Sequence, residues 1–100
     1  MAILGRVTQG IDERVAYQID TAAIGTPTSP SAVAKVRTSP NAYAVVTTTV
    51  FPTNTPSVAT TIITLSLFRD LTQDAFYRIE VQYTVSGNLF EDVIEVIGTL

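Results

Sequence analysis

Along residues 77–85, Tyr77, Ile79, Val81, Tyr83 and Val85 alternate one by one with Arg78, Glu80, Gln82 and Thr84. A period of two predicts a strand with one face toward a core. Ser86-Gly87-Asn88 follows as a tight turn, with Gly87 and Asn88 the residues that tolerate positive φ. Phe90 to Ile97 then returns as the partner strand, Phe90, Ile94 and Val96 set against Glu91 and Glu95. Asp92 and Val93 break the alternation, which predicts a bulge or burial on both faces at that point.

The same reading gives weaker strands upstream. Arg14 to Asp20 places Val15, Tyr17 and Ile19 on one side. Ile11, Val15 and Ile19 also recur every fourth residue, so a helical reading stays open there, and the β-rich remainder favours strand. TAAIGTPTSP, residues 21–30, is a loop on its Gly and Pro content. SAVAKVRT sets Ala34 and Val36 opposite Lys35 and Arg37, and Ser39-Pro40-Asn41 is turn chemistry. YAVVTTTV, residues 43–50, reads as a β-branched strand, closed by the Pro-rich FPTNTPS. Ser57 to Phe68 reads as one more strand, with Ile63, Leu65 and Leu67 on one face. RDLTQD is a polar connection with room for one helical turn.

Six strand-like runs and no long helix predict an all-β fold, an antiparallel sandwich or small barrel. Residues 14–100 form its single domain, and residues 1–13 are an N-terminal arm or an edge strand. Tyr77 opens the penultimate strand after a polar connection. Immunoglobulin-like sandwiches of about six to seven strands place a tyrosine corner there, its hydroxyl bonded to upstream backbone. The alternative is an ordinary core tyrosine with its hydroxyl at the surface.

Composition narrows the chemistry. One hundred residues make one domain. Charged residues are only 15% of the chain, against about 25% in an ordinary soluble domain, so its surface is uncharged or covered by another chain. The sixteen threonines suit strands. The chain has no His, no Cys and a single Lys, Lys35. Zinc sites, Ser–His or Cys nucleophiles and His proton shuttles therefore lack their residues. A net charge of −3 opposes a nucleic-acid footprint. No apolar run reaches the ~20 residues of a membrane span, and MAILGRVTQG lacks the pattern of a signal peptide. The lack of Cys fits a reducing cytoplasm. No cofactor, metal, nucleic-acid or membrane partner is implied.

Asp70, Asp74, Glu91 and Asp92 form no calcium-loop pattern and read as solvated acids. Glu80, Glu91 and Glu95 read as the outer face of the hairpin, with Arg78 in cross-strand reach, rather than as an acid pair for glycoside hydrolysis. Lys35 and Arg37 share one side of a strand and suit ion pairs better than a phosphate site. Thr47, Thr48, Thr49, Thr60, Thr61 and Thr64 make uncharged strand surface with few charges guarding its edges, which favours assembly with other chains. Phe51, Tyr43 and Phe90 are the candidate aromatics for a carbohydrate-binding module.

Both ends of the chain resemble one family. Gly5, Arg6, Val7, Glu13, Tyr17, Ile19 and Asp20 resemble the opening of small bacteriophage virion proteins of the fibre–tail adaptor type. Tyr77, Ile79, Val81, Val85, Gly87, Glu91 and Val96 resemble its closing hairpin. Residues 38–70 match only in being β. The resemblance implies an Ig-like, non-enzymatic virion protein, assembled in the host cytoplasm and present in several copies. It would join fibre, tail or neck subunits through protein–protein contacts. Ile3, Leu4, Val7 and Ile11 are the contact candidates on this reading. The alternatives are a capsid decoration or head-completion protein, or an Ig-like carbohydrate-binding module.

Overall fold

The computed structural model describes residues 2–100, with side chains from Leu4 onward. Of the contact candidates, the Ile3 side chain therefore lies outside the described residues. The fold is mostly β, in two sheets that enclose one core. The larger sheet orders its five strands β1-β8-β7-β3-β4: β1 (Ala2–Gly10), β3 (Thr28–Ser39), β4 (Ala42–Val45), β7 (Phe76–Val85) and β8 (Asn88–Thr99). The smaller orders β2 (Gln18–Asp20), β6 (Ile62–Thr64) and β5 (Ser57–Ala59) as β2-β6-β5. A single helical turn, α1 (Thr47–Val50), follows β4. The Cα radius of gyration of 13.3 Å is that of one folded unit, about 13 Å for 100 residues.

The strict alternation of residues 77–85 becomes strict burial: Tyr77, Ile79, Val81, Tyr83 and Val85 face the core. β7 and β8 pair without a break from Phe76↔Ile97 to Val85↔Asn88. No bulge interrupts β8 at Asp92 and Val93; both are buried, with Ile94 beside them, so the strand is shut off from solvent on both faces there. The turn differs by one residue from the sequence reading. Asn88 already pairs with Val85, and the two central residues are Ser86 and Gly87, at φ 50° and 82°. Positive φ at both is the mark of a two-residue I′ loop, whose twist matches that of the strands it joins. Gly87→Ala is expected to cost about 1–2 kcal/mol, read as a lower urea midpoint with unchanged slope.

β1 is an edge strand paired in parallel with β8, from Ala2↔Asp92 to Gly10↔Thr99, with a register shift between Ile3 and Gly5. The large sheet is thus mixed rather than wholly antiparallel. Parallel neighbours need a long crossover only when they are consecutive in the chain. These two strands are the first and the last of the fold, so either direction is open to them.

Three upstream segments differ from the alternation reading. Of residues 14–20 only Gln18–Asp20 form a strand, with Val15 adding a lone bridge to Phe68. Residues 43–50 are not one strand: β4 ends at Val45 and Thr47–Val50 turn helically. Val50 and Phe51 are adjacent and each 1% exposed, and successive residues of a strand point to opposite faces. A helical turn lets both enter the core. The Thr47 hydroxyl also accepts from the Ala34 N–H at 3.1 Å, binding the turn to β3. Residues 57–68 are likewise not one strand but a hairpin, β5 and β6, reversed at Thr60 with φ 55°. The pattern then slips: Phe68 is fully buried, whereas Leu67 is 47% exposed. Thr47–Thr49 lie in the helical turn and Thr60 and Thr61 at the hairpin reversal, so only Thr64 of the six threonines sits on a strand. They form no continuous strand surface.

Candidate functional site

Tyr77 stands at the start of β7, 4% exposed. Its Oη accepts a hydrogen bond from the backbone N–H of Thr72 at 2.7 Å, five residues upstream. Its ring meets Phe68 edge-on at 5.7 Å between centroids. The 69–75 connection is held from its other side by β8. Asp74 N–H donates to the Gly98 carbonyl at 2.9 Å and Gly98 N–H to the Ala75 carbonyl at 3.0 Å. Gly98 is required by this approach, since a Cβ there would collide with the Thr72 carbonyl oxygen. Tyr77→Phe leaves the Thr72 N–H without its acceptor. The expected loss is about 1–2 kcal/mol, measured by chemical denaturation.

The N-terminal segment is anchored by a residue the alternation pattern did not single out. Gln9 lies on the inner face of β1 and is 2% exposed. Its Nε2 donates to the carbonyls of Phe68 at 2.7 Å and Glu13 at 3.0 Å, and its Oε1 accepts from the Tyr17 hydroxyl at 2.7 Å. Burial, then the nearby Glu13 carboxylate, push the Tyr17 phenol above its usual range and keep it a donor. Glu13 Oε1 accepts from Gly10 N–H at 2.7 Å, and Ile11 N–H donates to the Thr99 carbonyl at 2.7 Å. The one available signal was a polar side chain at an inward position, two residues after Val7.

The structure separates the proposed contact residues. Leu4 is 50% and Val7 39% exposed on β1. Ile11 instead packs, partly buried, against the core, so it is spoken for within its own chain. Among the candidate carbohydrate platforms, Phe51 is in the core, 5.1 Å from the Phe68 ring, and Phe90 stacks on Tyr83 at 6.0 Å. Tyr43 is open, with the Arg78 guanidinium 5.8 Å from its ring centre.

The charged residues divide in the same way. Glu80 accepts from Lys35 at 2.9 Å and lies 3.0 Å from Arg78 Nε on the outer face of the large sheet. Glu91 accepts from Gln82, and Glu95 meets Arg6 at 3.4 Å. Arg37 donates to the carbonyls of Ser39 and Pro40 and lies beside Phe76. Asp70 and Asp74 sit exposed in the 69–75 connection. Asp92 is not a solvated acid: it is 8% exposed and its Oδ2 accepts from the Tyr83 hydroxyl at 2.6 Å. Burial first, then this hydrogen bond and the Asp92 charge, raise the Tyr83 pKa to about 12. The folded state thus holds the Tyr83 proton more tightly than the unfolded chain, whose phenol titrates near the ordinary tyrosine value of 10.0. Stability from this pair is complete below that pH and is lost as pH rises toward 12. Thermal melts across that window are expected to show a falling Tm, and Tyr83→Phe to flatten the fall.

Shallow hollows open among the described residues. One, of about 430 Å³, lies among Arg37, Ser39, Asp74 and Phe76; another, of about 320 Å³, among Pro52, Ser66, Leu67 and Arg69. In the second, Ser66 Oγ already accepts the Thr55 N–H at 2.8 Å. The described residues hold no group of three or more acidic side chains placed for a metal ion. No protein-family model matches the chain, and no characterised protein aligns significantly with it.

Proposed function

We propose that this chain is a non-enzymatic structural protein of a bacteriophage particle, an adaptor that joins fibre or other components to the tail or neck. In this reading the two sheets form an Ig-like sandwich and the Tyr77–Thr72 bond is its tyrosine corner.

One observation carries the reading. The two ends of the sequence that resemble phage adaptors are neighbours in space. Gly5, Arg6 and Val7 lie on β1 directly beside β8, which carries Glu91 and Val96, with Val7 opposite Val96. Part of the resemblance, Gly5, Arg6 and Val7 with Glu91 and Val96, therefore falls on one border of the large sheet, although these residues lie at opposite ends of the chain; Ile19 and Asp20 lie on β2 of the smaller sheet, and Tyr77 to Val85 on β7. The border is the part of a β-sheet best suited to contact, because its outward backbone groups are free to pair. The low charge of the chain agrees, since residues 38–68 carry no charged side chain.

The test is composition of the particle. Particles of the phage that encodes the chain, purified by density gradient, are expected to contain it in a fixed ratio to the capsid protein by quantitative mass spectrometry. Its loss from particles through purification contradicts the reading.

A further inference from the structure

β1 differs from every other strand at a sheet border. β8 occupies one of its sides, and no described strand occupies the other. It runs nine residues, whereas the remaining borders, β4, β2 and β5, run four, three and three. Long free edges are usually blocked by Lys, Pro or an inward charge. β1 has no Lys and no Pro, and Arg6 is its one charge. Arg6 points to the outer face, opposite Glu95, and its side chain is 57% exposed. The register shift at Ile3/Gly5 interrupts this edge at one end, and Glu13 takes the N–H and C=O of Gly10 at the other, which leaves residues 5–9 as its regular open stretch. Within it Val7 stays 39% exposed although its neighbour Val96 is fully buried, because the sheet stops there.

A two-fold pairing completes two such edges with the same residues. In antiparallel pairing, directly opposed side chains share a face, and opposed like charges are destabilising. Centred on Arg6, the pairing would set two guanidiniums against each other. Centred on Val7, it sets Val7 against Val7 on the inner face and Arg6 against Thr8 of the second copy on the outer face. The inner apolar surface then continues from one copy into the next.

We propose that the chain dimerises by antiparallel pairing of β1 with β1 of a second copy, centred on Val7. This rests on the assembly reading above and names one contact within it. The two fail separately: a chain that dimerises in this way yet is absent from particles contradicts the virion role alone.

The chain has no cysteine, so a single introduced thiol reports the contact directly. Val7→Cys is expected to convert to a disulfide-linked dimer under mild oxidation, while Val58→Cys, of similar exposure on the small sheet, stays largely monomeric. Light scattering is expected to give the native chain twice its monomer mass, and Val7→Arg the monomer mass with an unchanged circular-dichroism spectrum. A native chain that stays monomeric throughout the concentration series overturns the proposal. So does a native dimer that Val7→Arg leaves intact, or one in which Val7→Cys fails to cross-link.

Discussion

Phe68→Ala is expected to be the most damaging single truncation of this domain, lowering stability by about 4 kcal/mol and Tm by about 20 °C. The ring is fully buried at the meeting point of three others: Phe51 at 5.1 Å, Tyr77 at 5.7 Å and Tyr17 at 6.1 Å. These come from α1's C-terminal boundary, from β7 and from the segment leading into β2, so one cavity would loosen all three. A domain of this size has about 5–15 kcal/mol in total, and the variant should be partly unfolded at moderate temperature. Leu67→Ala is the matched control. Its side chain is half exposed, and the expected change is about 0.5 kcal/mol or less. Thermal melts of the pair decide the matter; similar losses in both, or a loss below about 1 kcal/mol in Phe68→Ala, would contradict the packing described.

Gln9→Leu is expected to cost about 3 kcal/mol, although it replaces a polar core side chain by an apolar one of similar size. The reason is what it leaves behind. The Glu13 carbonyl and the Tyr17 hydroxyl lose their partner, and the Phe68 carbonyl keeps only the Val15 N–H, at 3.1 Å. Buried polar groups without partners cost more than a hydrogen bond gains. The damage should be concentrated at β1, so amide exchange at residues 5–10 should speed up more than exchange in β7. A variant within about 1 kcal/mol of the native chain, with β1 still protected, would show that β8 alone holds the strand.

The closing hairpin was legible because one physical rule acted on it without competition. Each residue from Tyr77 to Val85 has a single choice of face, and its polarity states that choice. At Tyr77 the sequence left two readings open, a hydroxyl bonded to upstream backbone or one at the surface; in the structure the hydroxyl accepts from the Thr72 N–H. The middle of the chain was not legible because tertiary demands overrode local preference. Thr47–Val50 has the β-branched composition of a strand, yet bringing both Val50 and Phe51 inside requires a helical turn. The β5–β6 hairpin turns on Thr60, a β-branched residue at positive φ, where Gly or Asn would have announced the reversal. Asp92 shows the limit of reading acids from sequence. Its position between inward residues marked it as unusual, but only the Tyr83 hydroxyl explains why a carboxylate can sit there. Of the contact candidates read from the sequence, Leu4 and Val7 are exposed on β1 and Ile11 is not. The sequence could not separate the three, because that depends on where the chain leaves β1 and turns back over the core.

The most direct test of the virion reading is where the chain sits on a particle. Gold-labelled antibody against it, applied to purified particles of the encoding phage and viewed by electron microscopy, is expected to mark the tail or neck. Label spread over the capsid surface would move the role to capsid decoration. Particles that remain unlabelled, while the antibody recognises the isolated chain and particles opened with mild denaturant also stay unlabelled, would contradict a place in the virion altogether.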